Sequence, residues 1–521
     1  MLNHWRKHLN VKTIVFILTG ILLSLSFPRP GFFSVAWFSF VPVFFLLYNA
    51  SKKQAFYLGF VFGLSFFLWT IRWLAWVTFA GYILLCIYLA FYFAVFTFIF
   101  KFLSEAKIPF PLFFISVPSL WVLLEKVRDT TLFGGFGWAQ VAYSQAPFLP
   151  IIQIASLTGT AGINFLIIAC NFAVALLLRS AFYKDIKIKN VAFSTFFSFF
   201  LFVLVFTYGY ISLKKEIKKG EVLRVGAIQG NIPQEQKWDP SARELILEKY
   251  SLLTKLASFD LPDCIIWPEA ATPGFYNQDF IWEKIEQLAQ DTKSWLLIGT
   301  LRQTDTLTYN SAILVNPDAQ ITSYYDKIHL VPFGEYLPGE KIFPIFRKII
   351  PHGQIIGNFT KGKDIKIMHI GKRGEPQGSI PAGVFICFEN TNSSLVSKFV
   401  KKGAMLLINI TNEAWFRDSG QQYQHAQMSV FRAIENRRPV LRVANTGLTC
   451  LIDEQGKIVK ELSDEKGKQI DVTGIMIADI HIPEKQTLTF YTMYGNVFVW
   501  FCTTMVFLTA FTSVCYNNKS R

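Results

Sequence analysis

Gly383-Val384-Phe385-Ile386-Cys387-Phe388-Glu389-Asn390 is the stretch on which the fold turns. A short apolar run stops at a cysteine, and a segment follows in which Leu395, Val396, Phe399 and Val400 recur at helical spacing. The reading is a buried strand, a tight turn and an amphipathic helix laid against a sheet. A thiol at such a turn stands where an enzyme nucleophile stands, because the turn exposes the side chain and aims backbone N–H groups at a bound carbonyl. Alone, a cysteine after an apolar strand is an ordinary core residue. Its company changes the reading.

Two other apolar strands upstream end in chemistry. Cys264-Ile265-Ile266-Trp267-Pro268 runs into Glu269, and Ile321–Tyr325 runs into Asp326-Lys327-Ile328-His329-Leu330-Val331-Pro332-Phe333-Gly334-Glu335. A carboxylate, an ammonium and a thiol at three strand ends make a set for acyl transfer. Glu269 is the candidate base, its apolar setting expected to raise its pKa towards neutrality. Lys327 is the candidate oxyanion stabiliser, together with the Phe388 backbone N–H, and a group that lowers the thiol pKa. Glu335 is read as orienting Lys327 or Glu269, and Glu389 as a brace beside the nucleophile. Each residue taken singly has a plain structural reading: a helix-start Glu, a solvated Lys, a loop carboxylate.

Around this set the pattern is that of a layered α/β domain. Ten short strands are expected between Leu223 and Ala478, with helices near 240–258, 279–291, 391–402 and 421–437. Residues 336–362 fit neither class. They form a long Pro/Gly-broken loop rich in Phe and Ile, expected as a lid reaching into lipid through Phe343 and Phe346, or as a loop packed on its own domain.

The rest of the chain is far more apolar. Of 521 residues 52% are hydrophobic and 53 are Phe, beyond the usage of soluble proteins. The apolar residues gather in runs near 11–27, 33–49, 54–73, 81–103, 109–125, 159–178 and 191–211, with an eighth near 494–515. A bilayer core takes roughly 20 apolar residues per helix. The expectation is a polytopic helical membrane bundle of about eight spans: a seven-helix domain over 1–212, the exterior α/β domain over 213–488, and a last span with its tail over 489–521. Lys and Arg favour the loops on the N-terminal side, leaving Arg29, Arg72, Lys126 and Arg128 opposite, which places both termini in the cytoplasm and residues 213–488 outside. The formal net charge of +15 follows the helix ends. It suits an anionic lipid surface and argues against a nucleic-acid partner. Seven cysteines show no spacing for a metal, and neither metal nor cofactor is expected. Cys264, Cys387 and Cys450 leave room for one disulfide that nothing in the sequence favours.

The ordered Glu, Lys and Cys resemble the carbon–nitrogen hydrolase (nitrilase) superfamily, whose fold is an αββα sandwich carrying that triad. The resemblance is nearest to the apolipoprotein N-acyltransferase family. It is carried by Asn231-Ile232-Pro233-Gln234 with Lys237-Trp238, by Tyr325–Pro338, by Gly383–Glu389, by Thr411–Phe416, by Gln424-His425-Ala426-Gln427 and by Arg437-Arg438-Pro439 with Arg442 and Asn445-Thr446-Gly447. Two positions depart from that pattern, Phe388 standing for a Tyr and Glu413 for an Asp. The resemblance implies an inner-membrane enzyme with its catalytic domain in the periplasm. Cys387 would take an acyl chain from a phospholipid, typically phosphatidylethanolamine. A diacylated apolipoprotein would then accept the chain on its N-terminal amine. Trp238 and the 336–362 loop are the candidates for lipid contact. The alternative is a membrane-tethered amidase or nitrilase, with water as the second nucleophile.

Overall fold

A computed structural model describes residues 2–338 and 358–519. The chain divides into two compact units: residues 1–215, 419–427 and 494–521 form a helical unit, and residues 216–418 and 428–493 a mixed α/β unit.

Among the described residues of the helical unit five helices are long and apolar enough to cross a membrane: Phe79–Glu105, Phe110–Thr130, Thr160–Tyr183, Ile188–Lys214 and Val497–Tyr516. Three of the expected spans fall short of that measure. Leu2–Ser24 and Lys52–Thr70 are helical, the first counting as the shorter apolar stretch Leu9–Ser24 and the second opening on Lys52-Lys53-Gln54, which lowers its mean hydropathy. The run 33–49 is not one helix. It is a 3-10 turn, Phe33–Trp37, followed by the seven-residue helix Val41–Leu47 with Pro42 in its first turn. Pro lacks the N–H a continuous helix needs, and Asn171 meets the backbone groups the break exposes. Its Oδ1 accepts from Phe40 N at 2.9 Å and its Nδ2 donates to Ala36 O at 3.0 Å. Unpaired backbone is costly in an apolar medium, so this amide is what makes the break tolerable.

Small residues set the spacing of these helices. A Cβ on Gly59 would lie 1.9 Å from Thr97 Oγ1 and 2.7 Å from Phe93 O, and Thr97 itself donates to Ala55 O at 2.8 Å. Helices Lys52–Thr70 and Phe79–Glu105 therefore meet at backbone distance, the small-residue packing that serves where burial from water is no driving force. Aromatic edges fill the remaining space: Trp121 takes Phe40, Phe93 and Phe96 at 4.9–5.0 Å in T-shaped contacts. Phe196, Phe199, Phe200, Phe507 and Phe511 point outward and exposed, as side chains meeting lipid would.

Ser419–Gln427 was expected in the exterior domain but belongs to the helical unit. The reason is Gln424, all of whose hydrogen-bonding capacity is spent there. Its Oε1 accepts from Trp73 Nε1 at 3.2 Å and Trp138 Nε1 at 2.8 Å, and its Nε2 donates to Thr70 O and Pro28 O at 3.0 and 3.2 Å. His425 stacks on Trp138 beside it.

Among its described residues the α/β unit holds twelve strands: β1 Lys219–Gln229, β2 Cys264–Ile266, β3 Trp295–Thr304, β4 Leu307–Val315, β5 Ile321–Asp326, β6 Met368–Lys372, β7 Glu375–Ile386, β8 Leu406–Thr411, β9 Val440–Ala444, β10 Cys450–Ile452, β11 Ile458–Glu461 and β12 Gly474–Pro483. They form two six-stranded sheets, ordered β12-β1-β2-β3-β4-β5 and β11-β10-β9-β8-β7-β6. The sheets face each other, β4 meeting β7 and β1 meeting β9. Helices Arg243–Ser258 and Asp279–Thr292 cover the first sheet through Ile246, Tyr250, Ile281 and Leu288 against Ile265, Trp267 and Ile298. On the second, Ser393–Lys401 lies so close to β7 that a Cβ on Gly383 would sit 2.7 Å from Phe399 Cβ. The order helix, sheet, sheet, helix is the expected sandwich. β6 and β11 were not anticipated. Both are outer strands of the second sheet, and outer strands lack the apolar signal that a buried one carries.

Candidate active site

The strands that carry chemistry run the same way. β1, β2 and β3 are parallel, β5 returns parallel to β3 through the antiparallel β4, and β7, β8 and β9 are parallel. Glu269 follows β2, Lys327 follows β5, Cys387 follows β7, Asn412 and Glu413 follow β8, and Asn445 follows β9. Side chains distant in sequence are thereby delivered to one end of the sandwich, where open α/β sheets place their sites.

Lys327 Nζ donates to Glu269 Oε1 at 3.1 Å and to Glu335 Oε1 at 2.8 Å. Asn310 on β4 donates through Nδ2 to the same two carboxylates at 2.8 and 2.9 Å, and Glu335 Oε2 accepts from Val331 N at 2.8 Å. Glu269 Oε2 accepts from Asn412 N at 2.8 Å. Glu269 is 6% exposed and Lys327 1%. The turn that carries Glu269 is pressed against β3: a Cβ on Gly299 would lie 2.1 Å from Pro268 O and 2.7 Å from Glu269 Cα, so only glycine fits. Ala271 N donates to Gly299 O at 2.7 Å and holds that approach.

These partners reverse one expectation. Burial by itself raises the Glu269 carboxyl, but the Lys327 ammonium, the Asn310 amide and the Lys237 ammonium outweigh it and hold the group below its ordinary 4.5. Burial likewise pulls Lys327 down, yet Glu269 and Glu335, with Cys387 beyond them, keep it well above 10.5. Glu269 is therefore ionised at neutral pH and Lys327 is charged.

Cys387 opens the 3-10 turn Cys387–Thr391 and takes a φ of +50°, a left-handed conformation that residues with a Cβ adopt only when their surroundings force it. The residue keeps partial access to solvent. Its thiol is pushed up to about 12, by burial first and by the Glu269 carboxylate second. Lys327 and the Thr411 hydroxyl pull it down, and Glu413 adds to the rise. Lys327 acts in the expected direction without prevailing. Cys264 and Cys450 are both buried and free, so neither forms a disulfide with Cys387.

Glu389 ties the two halves of the site together. Its Oε1 accepts from Tyr325 Oη at 2.8 Å, Ile328 N at 2.7 Å and His329 N at 3.0 Å, and its Oε2 accepts from Ile386 N at 2.7 Å. Burial raises this carboxyl against those donors. One side chain thus joins the turn that bears Lys327 to the strand end that bears Cys387. Phe388 lays its ring parallel to His329 at 5.2 Å, a contact that needs no hydroxyl. Glu413 is buried and accepts from Arg442, which also donates to Asn409 Oδ1 at 2.8 Å. Room for this longer carboxylate comes from Gly447, where a Cβ would lie 1.8 Å from Glu413 Oε2.

Trp238 packs on the apolar cluster of Ala270, Leu301, Leu330 and Phe359, beside the Glu269 turn. Phe343 and Phe346 lie outside the described residues. Asn310 and the charge of Lys237 are site features that sequence reasoning missed. Asn310 had one signal, a polar pair Asn310-Ser311 interrupting an apolar strand. Lys237 had only its place in the Asn231–Trp238 block.

A buried Glu–Lys pair at the same end of two facing sheets as a strand-end cysteine is the arrangement of the carbon–nitrogen hydrolase class, and residues 224–488 match that family. Residues 19–173 match the apolipoprotein N-acyltransferase N-terminal domain. The chain is 36% identical to the apolipoprotein N-acyltransferase of Geobacter metallireducens, covering 93% of this chain and 92% of that one. It is 32% identical to that of Pasteurella multocida, covering 88% and 89%. The chain belongs to the apolipoprotein N-acyltransferase family. Among solved structures, an amidase from Nesterenkonia sp. is similar at 15% identity and a TM-score of 0.38, covering 51% of this chain and 93% of the amidase.

Proposed function

We propose that this membrane-bound enzyme moves an acyl chain from a phospholipid, with phosphatidylethanolamine as donor, through a thioester on Cys387 to the N-terminal amine of a diacylglyceryl-cysteine apolipoprotein. The observation that carries the chemistry is the 3.1 Å pair of Lys327 Nζ and Glu269 Oε1, set among the same loops as Cys387.

In the first half, Glu269 takes the Sγ proton as sulfur attacks the ester carbonyl. A thiol held near 12 is protonated at pH 7, so proton removal accompanies attack instead of preceding it. The ammonium of Lys327 and the Phe388 N–H receive the oxyanion. Phe388 lies in the first turn of its 3-10 helix, where N–H groups lack partners within the helix. The ester C–O bond breaks, and the lysophospholipid oxygen leaves with the proton from Glu269. In the second half, the apolipoprotein amine attacks the thioester and gives its proton to Glu269. The C–S bond breaks and the proton returns to sulfur. Glu335 and Asn310 hold Lys327 and Glu269 in register, Glu389 holds the Lys327 and Cys387 turns together, and Trp238 lines the acyl path. We place the chain in the inner membrane with eight crossings, the second made by the broken segment 33–47. Both termini are cytoplasmic and the catalytic unit is periplasmic, as the loop charges favour.

Intact mass of the purified chain incubated with phosphatidylethanolamine tests this. One acyl chain should be gained on Cys387, and lost to a diacylglyceryl-cysteine lipopeptide when that is added. Acyl found on Cys264 or Cys450 would refute the site. Release of free fatty acid with the lipopeptide untouched would make the enzyme a hydrolase.

A further inference from the structure

Lys237 is a second buried cation in this site, and the steps above leave its charge without a task. It ends the short helix Gln234–Lys237, is 4% exposed, and donates from Nζ to Glu269 O at 3.0 Å. Its loop follows β1 of the first sheet and is held by residues at the strand ends of the second. Asn231 N donates to Asn445 O at 2.8 Å, Ile232 N to Asn445 Oδ1 at 2.9 Å, and Asn412 Nδ2 to Gln234 Oε1 at 3.0 Å. A lysine is rarely buried to this depth without a charge to answer. The count of charges supplies one. Glu269 and Glu335 both pair with Lys327, so two carboxylates meet one ammonium where sulfur and then an oxyanion must also become negative. Lys237 interacts electrostatically with Glu269 and Cys387.

We infer that Lys237 is a positioning residue for the reaction: its ammonium offsets the second carboxylate and lowers the cost of negative charge on the Cys387 sulfur. This deepens the reading of Cys387 as the acyl carrier and rests on it. The groups acting on Lys237 are Glu269 and Cys387, and the charged groups acting on Cys387 are Glu269, Lys327, Lys237 and Glu413. Burial brings the Lys237 ammonium down to about 8 against the pull of those two partners, so its charge is present at pH 7 and fades just above pH 8.

Alkylation of Cys387 by iodoacetamide, in which the S–C bond forms and iodide leaves, tests this without any lipid substrate. A failure here is therefore distinct from a failure of the donor or acceptor assignment. The full chain in detergent is alkylated from pH 7 to pH 10, and modification of Cys387 is followed by peptide mass spectrometry. Below the pKa of a thiol the reactive thiolate fraction, and with it the alkylation rate, rises about tenfold per pH unit. The wild-type line should bend downward near pH 8, where Lys237 loses its charge. Lys237→Arg keeps a charge that does not titrate and should give a straight line. Lys237→Gln can keep the hydrogen bond to the Glu269 carbonyl without the charge, and should run straight and roughly tenfold below wild type at pH 7. Equal rates for Gln and wild type, or equal losses for Gln and Arg, would overturn the inference. If neither variant folds, the wild-type line decides: a bend near pH 8 supports the inference and a straight line rejects it.

Discussion

Replacing Glu389 with Gln should cost the catalytic unit stability and the enzyme its speed together. The carboxylate is fully buried and accepts four hydrogen bonds, three on Oε1 and one, from Ile386 N, on Oε2. A glutamine can turn its carbonyl to the three donors, and its NH2 then meets the Ile386 N–H, donor against donor. The lost charge-assisted bond is worth about 1.5–3 kcal/mol, and the stranded N–H costs about 1–3 kcal/mol more. Relief from burying an ion returns part of this, leaving about 3 kcal/mol. For a unit of this size that corresponds to a fall in Tm of about 6–12 °C. Because Glu389 bonds both the Lys327 turn and the Cys387 strand, single-turnover acylation should slow at temperatures well below the new Tm. The assay is tryptophan fluorescence on heating, paired with intact-mass kinetics of acylation on the full chain in detergent. An unchanged Tm would refute the hydrogen-bond argument. A lowered Tm with a wild-type acylation rate would show that Glu389 holds the fold but not the catalytic geometry.

Gly299→Ala must displace backbone, since the new Cβ meets Pro268 O at 2.1 Å. It should destabilise by about 1–3 kcal/mol and slow turnover by moving Glu269, measurable by denaturant titration and kcat. Lys327→Met should slow thioester formation by about 10²–10³, and a wild-type single-turnover rate would remove Lys327 from the oxyanion role. Glu269→Gln should block thioester formation and change the acid limb of stability. The depressed folded pKa of Glu269 means that its stabilisation is fully present above its ordinary 4.5 and lost as pH falls through the lower folded value. The wild type should therefore lose stability on acidification below pH 4.5 more steeply than the variant, and parallel denaturation curves would contradict that.

Much of this was legible in the residues. Strand and helix periods, strand-end placement and turn chemistry are properties of neighbours in sequence, so a layered α/β domain with Glu269, Lys327 and Cys387 at strand ends could be read directly, while the sandwich order came from the family resemblance. The failures have a common cause. The run 33–49 looks like one span because its apolarity is local, whereas the break depends on Asn171, more than a hundred residues on. The short outer strands β6 and β11 pair at the sheet edges, and little apolar pattern marks them.

The charge state of the site lay furthest from the sequence. Apolar neighbours made Glu269 look like a carboxyl raised towards neutrality. What holds it low is a set of groups brought in from elsewhere: Lys237, 32 residues upstream, and Asn310 and Lys327, 41 and 58 residues downstream. Asn412, 143 residues away, adds its backbone N–H to the same carboxylate. The sequence by itself determined which residue types end which strands, because that depends on local pattern. Only the tertiary structure decided which of them share a hydrogen bond and which carry charge, because burial and Coulomb interaction depend on distance in space and not along the chain.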